Sequence, residues 1–479
     1  MSTKENSPPA AVKVTLLTLT MMVVGSMVGA GVFSLPQRFA QETGVAGALI
    51  AWGIAGAGML MLAFVFQRLA MVRPDLDAGV YAYARAGFGE FTGFFAAAGY
   101  WASACVGNVL YWVLIMSTLG QWIPALGAGD TLLAIALSSV GLWIFFLLVR
   151  RGIKEATAIN RVVTVAKVVP IIVFVLLAVF LLDPAVFVAN WQGADYAGSL
   201  FEQVRGTMLV TVFVFLGVEG ASVYSRHAQR REHVGRATVL GFVSVLAIFA
   251  SVTIVSYGVM PMEEMSALRQ PSMAGVLESA VGPWGGVFVS VGLIVSVLGA
   301  YLAWALMAAE ILFVAAQDRD MPRFLTRVSS GDVPVNALLM STSLSQLVLI
   351  LTYFSEDAFD FALDMTAVMT LIPFLLAALF AVTLRLRRNG ADRSGPGSFR
   401  HDLVAVLAVL YTAFLVIAAG VDLLLLSFLF YAPVTLLFVR TRRESGRRVF
   451  SRGELVLLLA VVVLGVLAVI GLATGWISL

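Results

Sequence analysis

Two stretches of an otherwise apolar chain combine glycine with groups that can bind a ligand or ionise. One is Gly25-Ser26-Met27-Val28-Gly29-Ala30-Gly31, and the other is Gly217-Val218-Glu219-Gly220. Glycine weakens a helix interior, and inside a bilayer unwound backbone is tolerated only where it is buried in protein or lines a cavity. Breaks there would free amide donors and carbonyl acceptors for a small polar ligand. Glu219 is the only acid near the centre of its apolar run, and an ionisable group at that depth is a functional candidate. Lys167 stands ten residues beyond Thr157, about 15 Å along a helix at 1.5 Å per residue, too deep for easy snorkelling. Plainer readings stand beside these. Gly25 and Gly29 fit a small-xxx-small packing face, Glu219 fits a protonated cap of a broken helix, and Lys167 fits helix packing. His227, His233 and His401 all lie in polar connections, so neither a metal site nor a cofactor is expected, and no catalytic cluster marks an enzyme. The single Cys105 excludes a disulfide framework and reads as a packing residue.

The elements that must hold these residues follow from composition. Of 479 residues, 60% are apolar and 12% charged, against about 45–50% and a quarter in soluble domains. An integral membrane protein is expected, with no gap large enough for a soluble domain. Runs of about 18 or more apolar residues place helices near 13–35, 46–66, 91–120, 131–149, 157–182, 203–225, 236–260, 284–316, 334–354, 360–384, 402–420, 421–440 and 454–476, about 13 transmembrane helices in all. Only Gly420-Val421-Asp422 divides the stretch 402–440. The polar segment Met1–Ala11 lacks a signal-peptide cleavage region and reads as a cytoplasmic tail, the 1–12 segment.

With the N-terminus inside, all but four of the 31 Lys and Arg residues fall in cytoplasmic connections, as the positive-inside rule requires. Arg38 and Arg269 are expected outside, and Lys167 and Arg205 within spans, where Arg205 can pair with Glu202. The C-terminus then falls outside. The net charge of +3 reflects this topology, so no nucleic-acid partner is expected. The two glycine breaks sit in the first and sixth spans, five helices apart. Because five is odd, a second five-helix unit enters the membrane from the opposite side, the inverted repeat of many secondary transporters. The expected units are 13–182, an inverted 203–384, and three further spans over 402–479.

Gly25-Ser26-Met27-Val28-Gly29-Ala30-Gly31-Val32-Phe33-Ser34-Leu35-Pro36 resembles the first-helix signature of the amino acid, polyamine and organocation transporter superfamily. Phe215-Leu216-Gly217-Val218-Glu219-Gly220-Ala221-Ser222-Val223 resembles its sixth helix, and Gly107-Asn108 and Trp304 to Glu310 fit its third and eighth. Within it the chain is most similar to the basic amino acid and polyamine antiporters, particularly the arginine/ornithine exchangers and lysine-transporting relatives. A thirteenth helix is also similar to that branch.

The resemblance implies an all-α inverted-repeat fold with broken helices 1 and 6, and a substrate held at the breaks. A carboxylate would meet the N–H groups around Ala30, Gly31 and Val32 at a helix start. An ammonium would meet carbonyls around Ser26 and Met27 and from Phe213 through Phe215 to Leu216. A side chain at Gly29 or Gly31 would hold the substrate off the backbone. The resemblance further implies that Glu219 senses protons, that Lys167 occupies the place of a coupling sodium ion, and that Asn108 and Trp304 contact the substrate side chain. A Trp face attracts a desolvated cation by about 2 kcal/mol. Phe213 stands at an aromatic gate where these exchangers often carry tryptophan, and Tyr81 and Tyr83 fall where the superfamily builds an inner gate. For Glu310 and Asp364, inside the eighth and tenth spans, substrate attraction and interhelical hydrogen bonding both stay open.

The expected activity is exchange of cationic amino acids, arginine for ornithine, across the inner (cytoplasmic) membrane by alternating access. The partners are arginine, ornithine, lysine and the lipid bilayer, with a homodimer left open. A proton-coupled or uniport lysine or polyamine permease is the nearest rival. A channel or non-transporting receptor is a rival from another class, and the chain shows no filter-like repeat to support it.

Overall fold

The structure, a computed structural model, describes residues 15–477 apart from 74, 77–79, 152–155, 194–197, 220–230, 330–332, 356 and 387–397. Long apolar runs fold as helices because a helix satisfies its backbone polar groups internally, the condition for crossing hydrocarbon. Ten described helices are long and apolar enough to span.

The first span starts as α1 (Leu16–Met27), with the Thr15 hydroxyl accepting the Thr18 N–H. It is interrupted, makes one 3-10 turn over Gly31–Ser34, and resumes as α2 (Leu35–Glu42), bent by 52°. Pro36 sits in the first turn of α2, where its missing N–H costs nothing, so the span runs seven residues past its expected end. Arg38, expected in an outer connection, is therefore on a buried helix.

α3 (Val45–Val72) returns across the membrane, and short α4 (Val80–Phe88) lies across the face where α1 begins. α5 (Glu90–Leu119) is the central helix, buried almost along its whole length. Its Gly93, Ala96, Gly99, Ala102 and Gly107 let neighbours approach closely. Next come α6 (Leu132–Arg150), α7 (Ala156–Phe180) and short α8 (Pro184–Ala189).

The sixth span is divided into α9 (Leu200–Gly206) and α10 (Met208–Val214) and then loses helical form altogether through Glu219. The expected Glu202–Arg205 pair is not formed. Glu202 closes a capping box with Ser199, and Arg205 Nε donates to the Ala418 carbonyl at 3.4 Å.

The chain continues through α11 (Arg231–Ser256), short α12 (Met262–Ser266), α13 (Ser272–Val281), α14 (Pro283–Gln317), α15 (Val335–Leu351) and α16 (Ala358–Leu386). α14, α15 and α16 pack round α5, while α11 packs on α1 and α10 on α16. α17 (Ser398–Ala418) and α18 (Gly420–Glu444) are separate helices divided at Gly420, and α19 (Arg452–Thr474) ends the fold. α19 exposes Val456, Leu459 and Ile470, as a lipid-facing helix does. Where α18 turns into α19, Arg442 pairs with Glu90 at 3.0 Å and with Glu454 at 2.8 Å, and Arg447 reaches Glu90 at 2.9 Å.

Candidate functional site

The last regular bond of α1 runs from the Val28 N–H to the Val24 carbonyl at 2.9 Å, and the next local bond is Phe33 N–H to Ala30 at 3.1 Å. Between them, the N–H groups of Gly29, Ala30, Gly31 and Val32 have no acceptor among the described residues, and the carbonyls of Ser26 and Met27 have no donor. One break thus presents a donor pole and an acceptor pole side by side. Buried backbone groups in this state need a partner.

The end of α10 meets this break directly. Tight turns carry Phe215, Leu216 and Val218 back onto Thr211, Val212, Phe213 and Phe215, and Gly217 adopts φ +103°. Non-glycine residues avoid that conformation, and a Cβ here would also run into the Ser26 carbonyl. The Ser26 hydroxyl lies 2.8 Å from the Val23 carbonyl and 3.1 Å from that of Gly217. At Gly31 the reason for a small residue is packing: a Cβ would lie 2.6 Å from Val214 Cγ1 and 2.8 Å from the Phe213 ring. At Gly29 it would make ordinary contact with the Tyr111 hydroxyl at 3.8 Å and the Met27 carbonyl at 3.9 Å, taking up space beside the break.

That space is a partly open pocket where the two breaks meet. Ser26, Met27 and Gly29 to Val32 line one side, and Phe213, Val214 and Leu216 another. Ser103, Ala104, Gly107 and Tyr111 of α5, Phe249 of α11, Trp304 of α14 and Thr366 of α16 complete it. Among the described lining residues no side chain is charged; the pocket presents backbone poles, hydroxyls and aromatic faces.

Of the residues expected at the site, Ser26, Gly29, Ala30, Gly31, Phe213, Leu216 and Trp304 share this cavity. Phe215 does not present its side chain to it. The ring is fully buried, edge-on to Trp52 at 6.0 Å and beside Phe242 at 5.0 Å. Asn108 is buried just behind the lining residue Gly107, with its Oδ1 lacking a hydrogen-bond partner. Lys167 is buried on α7, which packs along α14, and does not line the cavity. Glu219 lies just past the break in α10: one carboxylate oxygen accepts the Gly217 N–H at 3.1 Å and the other the Tyr100 hydroxyl.

Tyr100, Tyr111, Phe249 and Thr366 were not singled out by sequence. For the tyrosines a signal exists, since positions eleven apart on a helix face the same way, and Ser103 and Gly107 fall on that stripe. Thr366 belongs to a hydroxyl ladder, with Ser103 donating to its carbonyl at 2.8 Å and lying 2.6 Å from the Thr370 hydroxyl.

Ion pairs stand on both faces of the bundle. On the face where α2 ends, Arg38 holds Asp360 at 2.6 Å and Asp364 at 3.0 Å, so Asp364 serves interhelical pairing. On the face where α1 begins, Tyr81 donates to Asp318 at 2.9 Å and Arg85 pairs with Asp320 at 2.7 Å. Burial pushes the Asp320 carboxyl up to about 7, against the pull of Arg85 and with the push of Asp318 and Glu90. Burial, then the adjacent Asp318, raises the Tyr81 hydroxyl, so it remains a donor at neutral pH. Tyr83 stacks on Phe380, 6.1 Å between centroids.

Residues 14–439 match the family model described as amino acid permease. The chain is 45% identical to an arginine/ornithine antiporter of Pseudomonas aeruginosa over 99% of this chain and 100% of that protein. It is 39% identical to an L-lysine transport protein of Corynebacterium glutamicum over 97% of this chain and 96% of that protein. With an arginine/agmatine antiporter of Chlamydia abortus it shares 34% identity over 97% of each. Matches that run nearly end to end, on a multi-pass helical fold whose broken helices meet at a cavity, leave one assignment: the chain belongs to the amino acid permease family.

Proposed function

We propose that this protein exchanges cationic amino acids, arginine against ornithine, across the cytoplasmic membrane by alternating access. The observation that carries the reading is the first-span break, where unpaired amides of residues 29–32 adjoin unpaired carbonyls of Ser26 and Met27. Such a pair of poles complements an α-carboxylate and an α-ammonium at once, and Trp304 supplies a face for a cationic side chain. The names of the relatives, which speak of arginine, ornithine, agmatine and lysine, agree with this chemistry.

The reading includes thirteen spans, counting the interrupted first and sixth and α7, with five-helix repeats over 13–182 and 203–384 and three further spans over 402–479. It places the N-terminus and the Tyr81/Arg85 closure in the cytoplasm, and the Arg38 closure and the C-terminus outside. Family and relatives are transporters rather than enzymes. An empty carrier must take unpaired polar groups through a low-dielectric occluded state, which is costly; bound substrate pairs them, so reorientation is expected to require it.

The test is arginine uptake into proteoliposomes that are empty or loaded with ornithine, with and without an imposed potential. Uptake should need internal ornithine. It should ignore the potential, because a one-for-one swap of monovalent cations moves no net charge, whereas one uncompensated charge feels about 2.3 kcal/mol per 100 mV. Fast uptake into empty vesicles, accelerated by a negative interior, would identify the lysine or polyamine uniporter or proton symporter instead.

A further inference from the structure

Tyr111 belongs to neither closure, and the functional reading above gives it no task. It lies three turns beyond Tyr100 on the same face of α5. The residue is 5% exposed, yet it lines the cavity, and its hydroxyl has no hydrogen-bond partner among the described residues. The hydroxyl oxygen sits 3.8 Å from where a Gly29 Cβ would stand. Gly29 is the first of the four residues whose amides are unpaired, and the Met27 carbonyl lies 3.9 Å from the same point, so the phenol stands where the donor pole meets the acceptor pole and can add one donor to the row.

A hydroxyl so placed gains most from a charged acceptor, because hydrogen bonds to a carboxylate are about twice as strong as neutral ones. A ligand without that carboxylate leaves the phenol and the four amides unpaired. Sites built to hydrogen-bond a group reject analogues lacking it far more strongly than apolar pockets reject a missing methylene. We propose that Tyr111 donates its hydroxyl proton to the α-carboxylate of the bound substrate and so selects cationic amino acids over guanidino-amines and diamines that lack a carboxylate. The inference rests on the cationic amino acid reading and names the group that enforces it.

The experiment measures binding of arginine and agmatine to the full chain in lipid nanodiscs at pH 7, for the unmodified protein and Tyr111→Phe. The ring is retained, so packing is preserved. Arginine should bind about ten- to thirtyfold more weakly to the variant, with agmatine changed less than about threefold. A parallel loss for both ligands, or for neither, overturns the proposal. A second form, 3-fluorotyrosine at position 111, keeps shape while making the phenol a better donor and a poorer acceptor. It should tighten arginine binding, and weakening would mean that the hydroxyl accepts from the ammonium instead. Should the unmodified protein bind no cationic amino acid, the functional reading itself fails. An unchanged arginine-to-agmatine ratio in Tyr111→Phe defeats only the role of Tyr111.

Discussion

The Ser26 hydroxyl lies 3.1 Å from the Gly217 carbonyl and 2.8 Å from that of Val23, so its one proton is shared between its own helix and the other break. Whatever displaces the end of α10 is thereby felt at the end of α1, beside the acceptor pole of the cavity. Glu219 holds the same turn from its other side through the Gly217 N–H.

Gly217→Ala should abolish transport, lowering the exchange rate by at least about tenfold, because the new Cβ meets the Ser26 carbonyl at a φ of +103°. Backbone strain of this kind costs about 1–3 kcal/mol. Ser26→Ala removes only the hydrogen bond, about 1 kcal/mol, and should weaken substrate binding by roughly fivefold. Size-exclusion profiles of both variants check that the fold survives. Full-rate exchange by Gly217→Ala would mean that the breaks do not need this contact.

Glu219→Gln keeps an acceptor for one of the two donors, the Tyr100 hydroxyl or the Gly217 N–H, turns the other oxygen into an NH2 donor, and removes the titration. It should flatten any pH dependence of exchange between about 5 and 8. Tyr100→Phe strips a donor from a buried carboxyl and should displace the profile rather than flatten it. If Glu219→Gln keeps the unmodified profile, Glu219 is a helix cap and nothing more.

Lys167 is expected to stand where a coupling cation would otherwise bind. Replacing sodium by choline on both sides of the vesicle should leave the exchange rate unchanged, and Lys167→Ala should cut it by about tenfold or more despite normal insertion. Sodium-dependent uptake by the unmodified protein would remove this role.

The Asp320 carboxyl, at about 7 in the closed arrangement, holds its proton more tightly than a solvated aspartate near 3.9. By linkage, the closed form gains as pH falls through about 7 and loses as pH rises, by up to about tenfold per unit between 4 and 7. A cysteine introduced at Ala82 in a Cys105→Ser background should therefore be labelled from that face more slowly at pH 6 than at pH 8, once each rate is divided by that of the same thiol in unfolded protein at the same pH to remove thiolate ionisation. Asp320→Asn, neutral throughout, should erase the difference. A difference that persists would mean that Asp320 does not set the pH dependence.

Much of this site could be read from the sequence because membrane depth makes certain residues expensive. A glycine cluster or a lone carboxylate inside an apolar run has few stable uses, so both breaks and Glu219 stood out. Aromatic side chains carry no such penalty. Tyr100 and Tyr111 look like their neighbours until the helix face they share is known, and Phe215 looks like Phe213 although one packs into the core and the other lines the cavity. Arg38 escaped for a different reason: the first span is expected to end at residue 35, whereas Pro36 opens α2, which carries the guanidinium inward to Asp360 and Asp364. The Arg85–Asp320 contact joins residues far apart in the chain, and only the turn that follows α14 brings Asp320 to α4.

The clasp of Arg442 and Arg447 on Glu90 gives the C-terminal helices a mechanical task. Glu90 is the first residue of α5, directly behind α4, and α4 carries Tyr81 and Arg85. Among the described residues α18 and α19 line no part of the cavity, yet the link between them moors the start of α5, next to α4. A chain cut after residue 440 would retain every cavity-lining group and lose that mooring. It should still recognise its ligand but behave as a leaky valve, passing substrate without requiring a return load.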